Sequence, residues 1–207
     1  MRNSTKNYDY FSRHPRAWLA LLFRLFKSPD QIEKFRTWLG YCLARNTDNR
    51  QLLILETPSA KARKLITKTI RHLVGFKSSL DDNIGIFLRS KGYEYFLGKS
   101  LAVLDTRHDP GKYSHFITSS ISEIVSNEPV LVTRLLYDDF REVLPLHLII
   151  SADDASLSNE LSNFDEFSVL NIELTDDKFK NDYAEISDKL RLELPKIARW
   201  AFGKNLN

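Results

Sequence analysis

Apolar residues along this chain recur with two different periods, and the change of period divides it into elements. The run Ala17 to Phe26 (AWLALLFRLF) is apolar nearly all round, which predicts a buried helix opened by Pro15 at its first position. Ser28-Pro29-Asp30 breaks that run and supplies an N-cap for a second helix, whose Ile32, Phe35, Leu39, Cys42 and Leu43 fall on one stripe. After a polar turn at Asn46 to Arg50, short apolar runs predict buried strands at Leu52 to Leu55, Leu101 to Leu104, Leu146 to Ile150 and Val169 to Leu174. Val130 to Leu136 and Phe140 to Val143, joined by Tyr137-Asp138-Asp139, read as a hairpin. Helical spacing returns at Ile117 to Val125. It returns again in a last helix with Tyr183, Ile186, Leu190, Leu194, Ile197 and Trp200/Ala201 on one face, and Pro195 as a kink point. Residues 77–83 and 106–115 read as loops, 155–166 as loop or short helix, and Tyr93 to Leu97 as a short aromatic segment. Strands interleaved with helices predict an α/β core over residues 49–207, preceded by a helical segment at 1–48.

The centre of this pattern is Leu52 to Gly75, LLILETPSAKARKLITKTIRHLVG. A strand, a loop from Thr57 to Lys64 and a helix from Leu65 to Val74 capped by Gly75 form the layout that cradles nucleotide phosphates. A working phosphate loop follows G-x-x-x-x-G-K-[ST]. Here those places are Thr57, Pro58, Ser59, Ala60, Lys61, Ala62, Arg63 and Lys64, so the scaffold is expected and the phosphate chemistry is not. Lys61, Arg63, Lys64, Lys68 and Arg71 gather positive charge near a helix N-terminus, itself an anion site. They are either phosphate contacts or a solvated basic face.

Composition narrows the field without naming an activity. The net charge is only +3, so bulk electrostatics does not mark a nucleic-acid binder. A single cysteine, Cys42, excludes an internal disulfide framework and a cysteine-rich zinc site, and its apolar setting predicts a buried thiol. His108 with Asp105 and Asp109 does not place three ligands on one face, so no metal is expected. No G-x-S-x-G supports a hydrolase. The opening residues do not read as a signal peptide, and no apolar run is long enough to span a bilayer. A soluble, cytoplasmic protein is the expectation.

Further segments extend the phosphate-loop layout in a fixed order. FRTWLGYCL (Phe35 to Leu43) precedes it. LGKSLAVLD (Leu97 to Asp105), ISEIVSNEPVLVTRLLYDDF (Ile121 to Phe140), LPLHLIISADD and FDEFSVLNIEL follow it. In this order the chain resembles the helicase part of phage and plasmid primase-helicases, the superfamily-three, AAA-type ring ATPases. The resemblance covers about residues 30 to 205. It implies an AAA-type P-loop-like sheet flanked by helices. It also implies a channel hairpin facing DNA, with Lys112, His115, Arg134 and Arg141 as candidate DNA or anion contacts, and self-association into an oligomer.

Departures from the family pattern decide the functional expectation. The glycines that let backbone amides curl round phosphate are absent, with Ala62 at the second place. Arg63 stands at the lysine place and Lys64 at the magnesium-binding hydroxyl. Asp105 and Thr106 stand where the family carries its acids, and Asp153 replaces the neutral sensor residue. Phe167 and Ser168 stand at the arginine-finger places. These losses together imply that ATP is not hydrolysed and that ATP with Mg²⁺ is not a cofactor. The expectation is an inactive helicase-like protein of a phage, plasmid or island, acting through DNA or a replication helicase. The alternatives are a weak ATPase holding phosphate through Arg63 and Lys64, and a protein-binding module with no nucleic-acid role.

Overall fold

The structure is a computed structural model, and it describes residues 14–46, 51–89, 92–106, 115–134, 137–153, 168–174 and 182–203. Five strands build one parallel sheet: β1 (Gln51–Glu56), β2 (Ser79–Asn83), β3 (Leu101–Asp105), β6 (His147–Ala152) and β7 (Ser168–Glu173), in the order β2-β3-β6-β1-β7. A separate hairpin pairs β4 (Pro129–Val132) with β5 (Phe140–Val143) in antiparallel fashion. The helices are α1 (Arg16–Leu25), α2 (Pro29–Ala44), α3 (Ala60–Val74), α4 (His115–Val125) and α5 (Tyr183–Phe202). Two short 3-10 segments, Ile84–Leu88 and Gly92–Phe96, lie between β2 and β3. This is the α/β architecture expected, a parallel sheet covered on both faces.

Alternation along β1 shows why. Leu53 and Leu55 join one hydrophobic cluster, while Leu52 and Ile54 join another across the sheet. The first cluster collects α1, α2, α3 and α5, so the N-terminal helices share a core with the sheet. Its aromatic members interlock: Phe35 stacks on Trp38 at 6.3 Å, and Trp18 meets Trp200 edge-on at 6.4 Å. A β-bridge also links Phe26 to Leu174. The second cluster is built by α4, the two 3-10 segments and the hairpin.

Element ends follow ordinary capping chemistry. Ser28 caps α2 by accepting from the Gln31 amide at 3.3 Å, with Pro29 at the first helical position. Gly75 ends α3 at φ +96°, a conformation in which a β-carbon is strained.

Several expectations are corrected. The helix after β1 starts at Ala60, not Leu65, so Lys61, Ala62, Arg63 and Lys64 are helical and the loop is only Thr57 to Ser59. With no glycine to favour an open turn, Ser59 caps the chain straight into a helix. The stretch at 79–83, read as loop, is the edge strand β2, pairing with β3 from Ser79↔Leu101 to Asn83↔Asp105. Phe23 on α1 is exposed although its run is apolar nearly all round. Pro195 sits inside α5 without ending it. Residues 47–50, 107–114, 135–136, 154–167 and 175–181, with the expectations placed on them, lie outside the described residues.

Candidate functional site

The carboxyl ends of β1 and β6 define the crevice where an open parallel sheet takes a ligand. From β1 the chain crosses through α3 to β2 at one edge, and β6 and β7 lie on either side of β1. That reversal is a topological switch point, and the N-terminus of α3 opens onto it.

The backbone there is already committed. The Thr57 amide donates to the Ala152 carbonyl at 3.2 Å, and the Ser59 amide to Thr57 Oγ1 at 3.1 Å. The Ala62 amide donates to Ser59 Oγ at 3.4 Å, and the Arg63 amide to the Ser59 carbonyl at 3.2 Å. These are donors of the kind a phosphate loop aims at its ligand, and here they serve the loop itself.

Arg63 occupies the crevice. Its side chain is only 2% exposed, and one guanidinium nitrogen donates to the carbonyls of Thr57 and of Ala152, the latter at 2.9 Å. The other terminal nitrogen forms an ion pair with the Asp153 carboxylate, whose side chain is 50% exposed. One arginine thereby ties the end of β1 to the end of β6. Arginine suits this role because its planar fork reaches several acceptors at once without giving up its charge.

The remaining expected positions divide by location. Ala62 is buried, and Lys61 and Lys64 are exposed on the first turns of α3. Lys68 reaches Ser187 Oγ at 3.4 Å, and Arg71 pairs with Asp81 while lying over the Phe76 ring. The five-residue basic cluster is therefore two internal ion pairs and an exposed lysine row. Asp105 ends β3 directly across from Ser151. Thr106 is buried, and both its amide and its hydroxyl donate to the Ser151 carbonyl, at 3.1 and 3.3 Å. Thus Thr57, Ser59, Arg63, Asp105, Thr106 and Asp153 gather at one edge of the sheet.

The expected DNA contacts do not converge in the same way. Lys112 lies outside the described residues, and His115 opens α4. Arg134 spreads over the Phe140 and Tyr137 rings, at 4.7 and 5.9 Å from their centroids. Arg141 stands exposed on β5. Of the arginine-finger places, Phe167 is outside the described residues and Ser168 begins β7.

Sequence reasoning passed over Glu56, the last residue of β1. It is buried, accepts from Asn171 Nδ2 at 3.1 Å, and its other carboxylate oxygen meets no hydrogen-bond partner among the described residues. The signal was visible as an acid closing an otherwise apolar strand. Cys42 is buried as expected, and burial pushes its thiol up to about 12. Among the described residues, no helix is long and apolar enough to cross a membrane.

Comparison with known proteins adds a fold relationship. No protein-family description matches the chain, and no curated protein does. Solved structures of the NrS-1 C-terminal region are similar. One apo structure of its residues 305–718 gives a TM-score of 0.69 at 14% identity, covering 94% of this chain and 47% of that one. A second apo form gives 0.67 at 11% identity, with the same coverage. The chain spans about half the length of these structures, and what it shares with them is the α/β fold.

Proposed function

We propose that this chain is a helicase-like domain of a phage- or plasmid-type replication system that does not hydrolyse ATP, and that it acts by contacting DNA or a replication protein. The observation that carries this reading is the placement of Arg63. A phosphate-loop cation must project into the crevice to neutralise the terminal phosphates. Arg63 lies in the crevice, but its charge is already met there by Asp153 and two carbonyls. A nucleotide recruiting Arg63 would have to take it from these partners. Phosphate entering here would also meet the Asp153 carboxylate, while Lys64 at the place of the metal-binding hydroxyl repels Mg²⁺. The fold shared with the NrS-1 region supports the helicase-like part of the reading.

Thermal unfolding with and without ATP and Mg²⁺, together with a phosphate-release assay, tests the loss of nucleotide chemistry. A bound nucleotide at a hundred times its Kd stabilises by about 2.7 kcal/mol, which a melting curve resolves. No shift and no phosphate release are expected. A Mg²⁺-dependent shift with phosphate release, both lost in Arg63→Ala, overturns the reading. DNA contact is tested by a salt series. Contact with about six phosphates loses on the order of a thousandfold in affinity between 50 and 200 mM salt. Absence of binding at low salt leaves the replication protein as the target.

A further inference from the structure

On the sheet face away from α3, three large apolar side chains stand more than half exposed around one groove: Leu88 at 58%, Phe116 at 55% and Leu131 at 51%. Single exposed hydrophobics are ordinary, but three converging on one concavity are not. The groove holds about 320 Å³, with Phe87, Tyr93 and Thr133 completing its walls.

Its floor is built before any ligand arrives. Phe87 stacks on Phe96 at 5.6 Å and meets Tyr93 edge-on at 6.3 Å. The Tyr93 hydroxyl donates to Glu123 on α4 at 2.7 Å. Arg89, at the rim, is held by both oxygens of Asp82 at 3.0 and 2.9 Å. A preformed surface of this kind loses little freedom when it binds.

The hairpin sets the polar complement. Directly opposed residues of an antiparallel pair share a face, so Leu131 lies beside Arg141, and Pro129 beside Val143. All four are exposed, while Val130 and Val132 are buried. The outward face of the hairpin is thus apolar with one cation, Arg141, next to the groove. Glu142 belongs with Val130 on the other face.

We propose that this groove docks an amphipathic segment of a partner protein, one that seats a large apolar side chain among Leu88, Phe116 and Leu131 and sets a carboxylate against Arg141. Nucleic acid fits the surface less well. Stacking asks for exposed aromatic platforms in series, whereas Phe116 is the one ring of the lining that stands exposed, with Phe87 buried and Tyr93 half-buried in the floor. The inference deepens the protein-contact half of the proposed function and rests on that half alone.

Two designed helical peptides with the same leucine face, one flanked by glutamates and the other by lysines, test it by fluorescence anisotropy. The glutamate peptide is expected to bind at least about tenfold tighter than the lysine peptide. Leu131→Ser and Phe116→Ser are each expected to weaken it by at least about tenfold, and Arg141→Glu to invert the charge preference. Because these side chains are more than half exposed, the variants should keep the wild-type melting temperature. Absent binding, equal binding of both peptides, or binding indifferent to Leu131→Ser overturns the proposal. So does a labelled oligothymidylate whose binding is lost in Leu131→Ser, or self-association that the same variant abolishes. None of these results touches the nucleotide assay, which reads Arg63, so the two readings fail separately.

Discussion

The guanidinium of Arg63 and the carboxylate of Asp153 join the first turn of α3 to the end of β6 across the mouth of the sheet. The resemblance sets these two residues at the places of the phosphate-loop cation and the polar sensor. In this chain Asp153 supplies the negative charge that Arg63 faces.

This pairing predicts an asymmetric pair of variants. Arg63→Ala empties a buried site and removes one donor each from the Thr57 and Ala152 carbonyls, the latter keeping the Thr57 amide, so a loss of about 3 kcal/mol is expected. Asp153→Asn removes a half-exposed charge but keeps an acceptor oxygen, so the loss is about 1 kcal/mol or less. Urea denaturation of both, with Lys64→Ala as an exposed reference, measures the difference. Equal midpoints for Arg63→Ala and Lys64→Ala would remove the structural role assigned to Arg63.

Gly40 offers a test of how closely α2 meets α5. Alanine in a helix interior ordinarily stabilises by about 1 kcal/mol over glycine. Here the added β-carbon would lie 2.9 Å from the Ala201 carbonyl oxygen, a backbone atom that cannot swing aside. Overpacking of that kind costs about 1–3 kcal/mol, so Gly40→Ala is expected to lower the melting temperature rather than raise it.

Ser59 starts α3 as its N-cap. Its hydroxyl accepts from the Ala62 amide, and Ser59→Ala is expected to cost about 1 kcal/mol in urea unfolding. Ser59→Gly should cost only a few tenths. A larger loss from glycine than from alanine would show that the hydroxyl is not the source of the effect.

Cys42 predicts both a reactivity and a pH slope. Its thiol titrates near 12 when folded, against an ordinary value of 9.0. Between these values the unfolded chain releases a proton that the folded chain keeps, so stability falls as pH rises from 9 through 12. At pH 8 the folded thiolate fraction is about a thousandfold below that of a free thiol, so alkylation is expected only after unfolding. Iodoacetamide labelling in buffer and in urea compares the two states.

The sequence announced the inner strands and the helices because those elements bury continuous or periodic apolar residues. It did not announce β2, whose Ser79, Asp81, Asp82 and Asn83 carry no strand signal and which exists by pairing with β3. Nor did it place Arg63, whose two readings, phosphate contact or solvated basic face, both set it outside the core. A clue was present: Arg63, Ile66 and Ile70 fall at helical spacing on one stripe, so a helix starting at Ala60 turns Arg63 inward with the core. The error lay in extending the loop to Lys64, which hid that stripe. What fills the crevice depends on β6, whose end lies ninety residues away.

The docking of α1 sets an order of events for the growing chain. The Trp18 amide donates to the Glu193 carboxylate at 3.1 Å across 175 residues, and the Trp18 ring rests on Trp200. On a ribosome, α1 packs on α2 once both are made, Trp18 and Phe26 against Phe35. Its contacts with α5 form only after every strand of the sheet has been synthesised, so the side of Trp18 that Trp200 covers stays open through that interval.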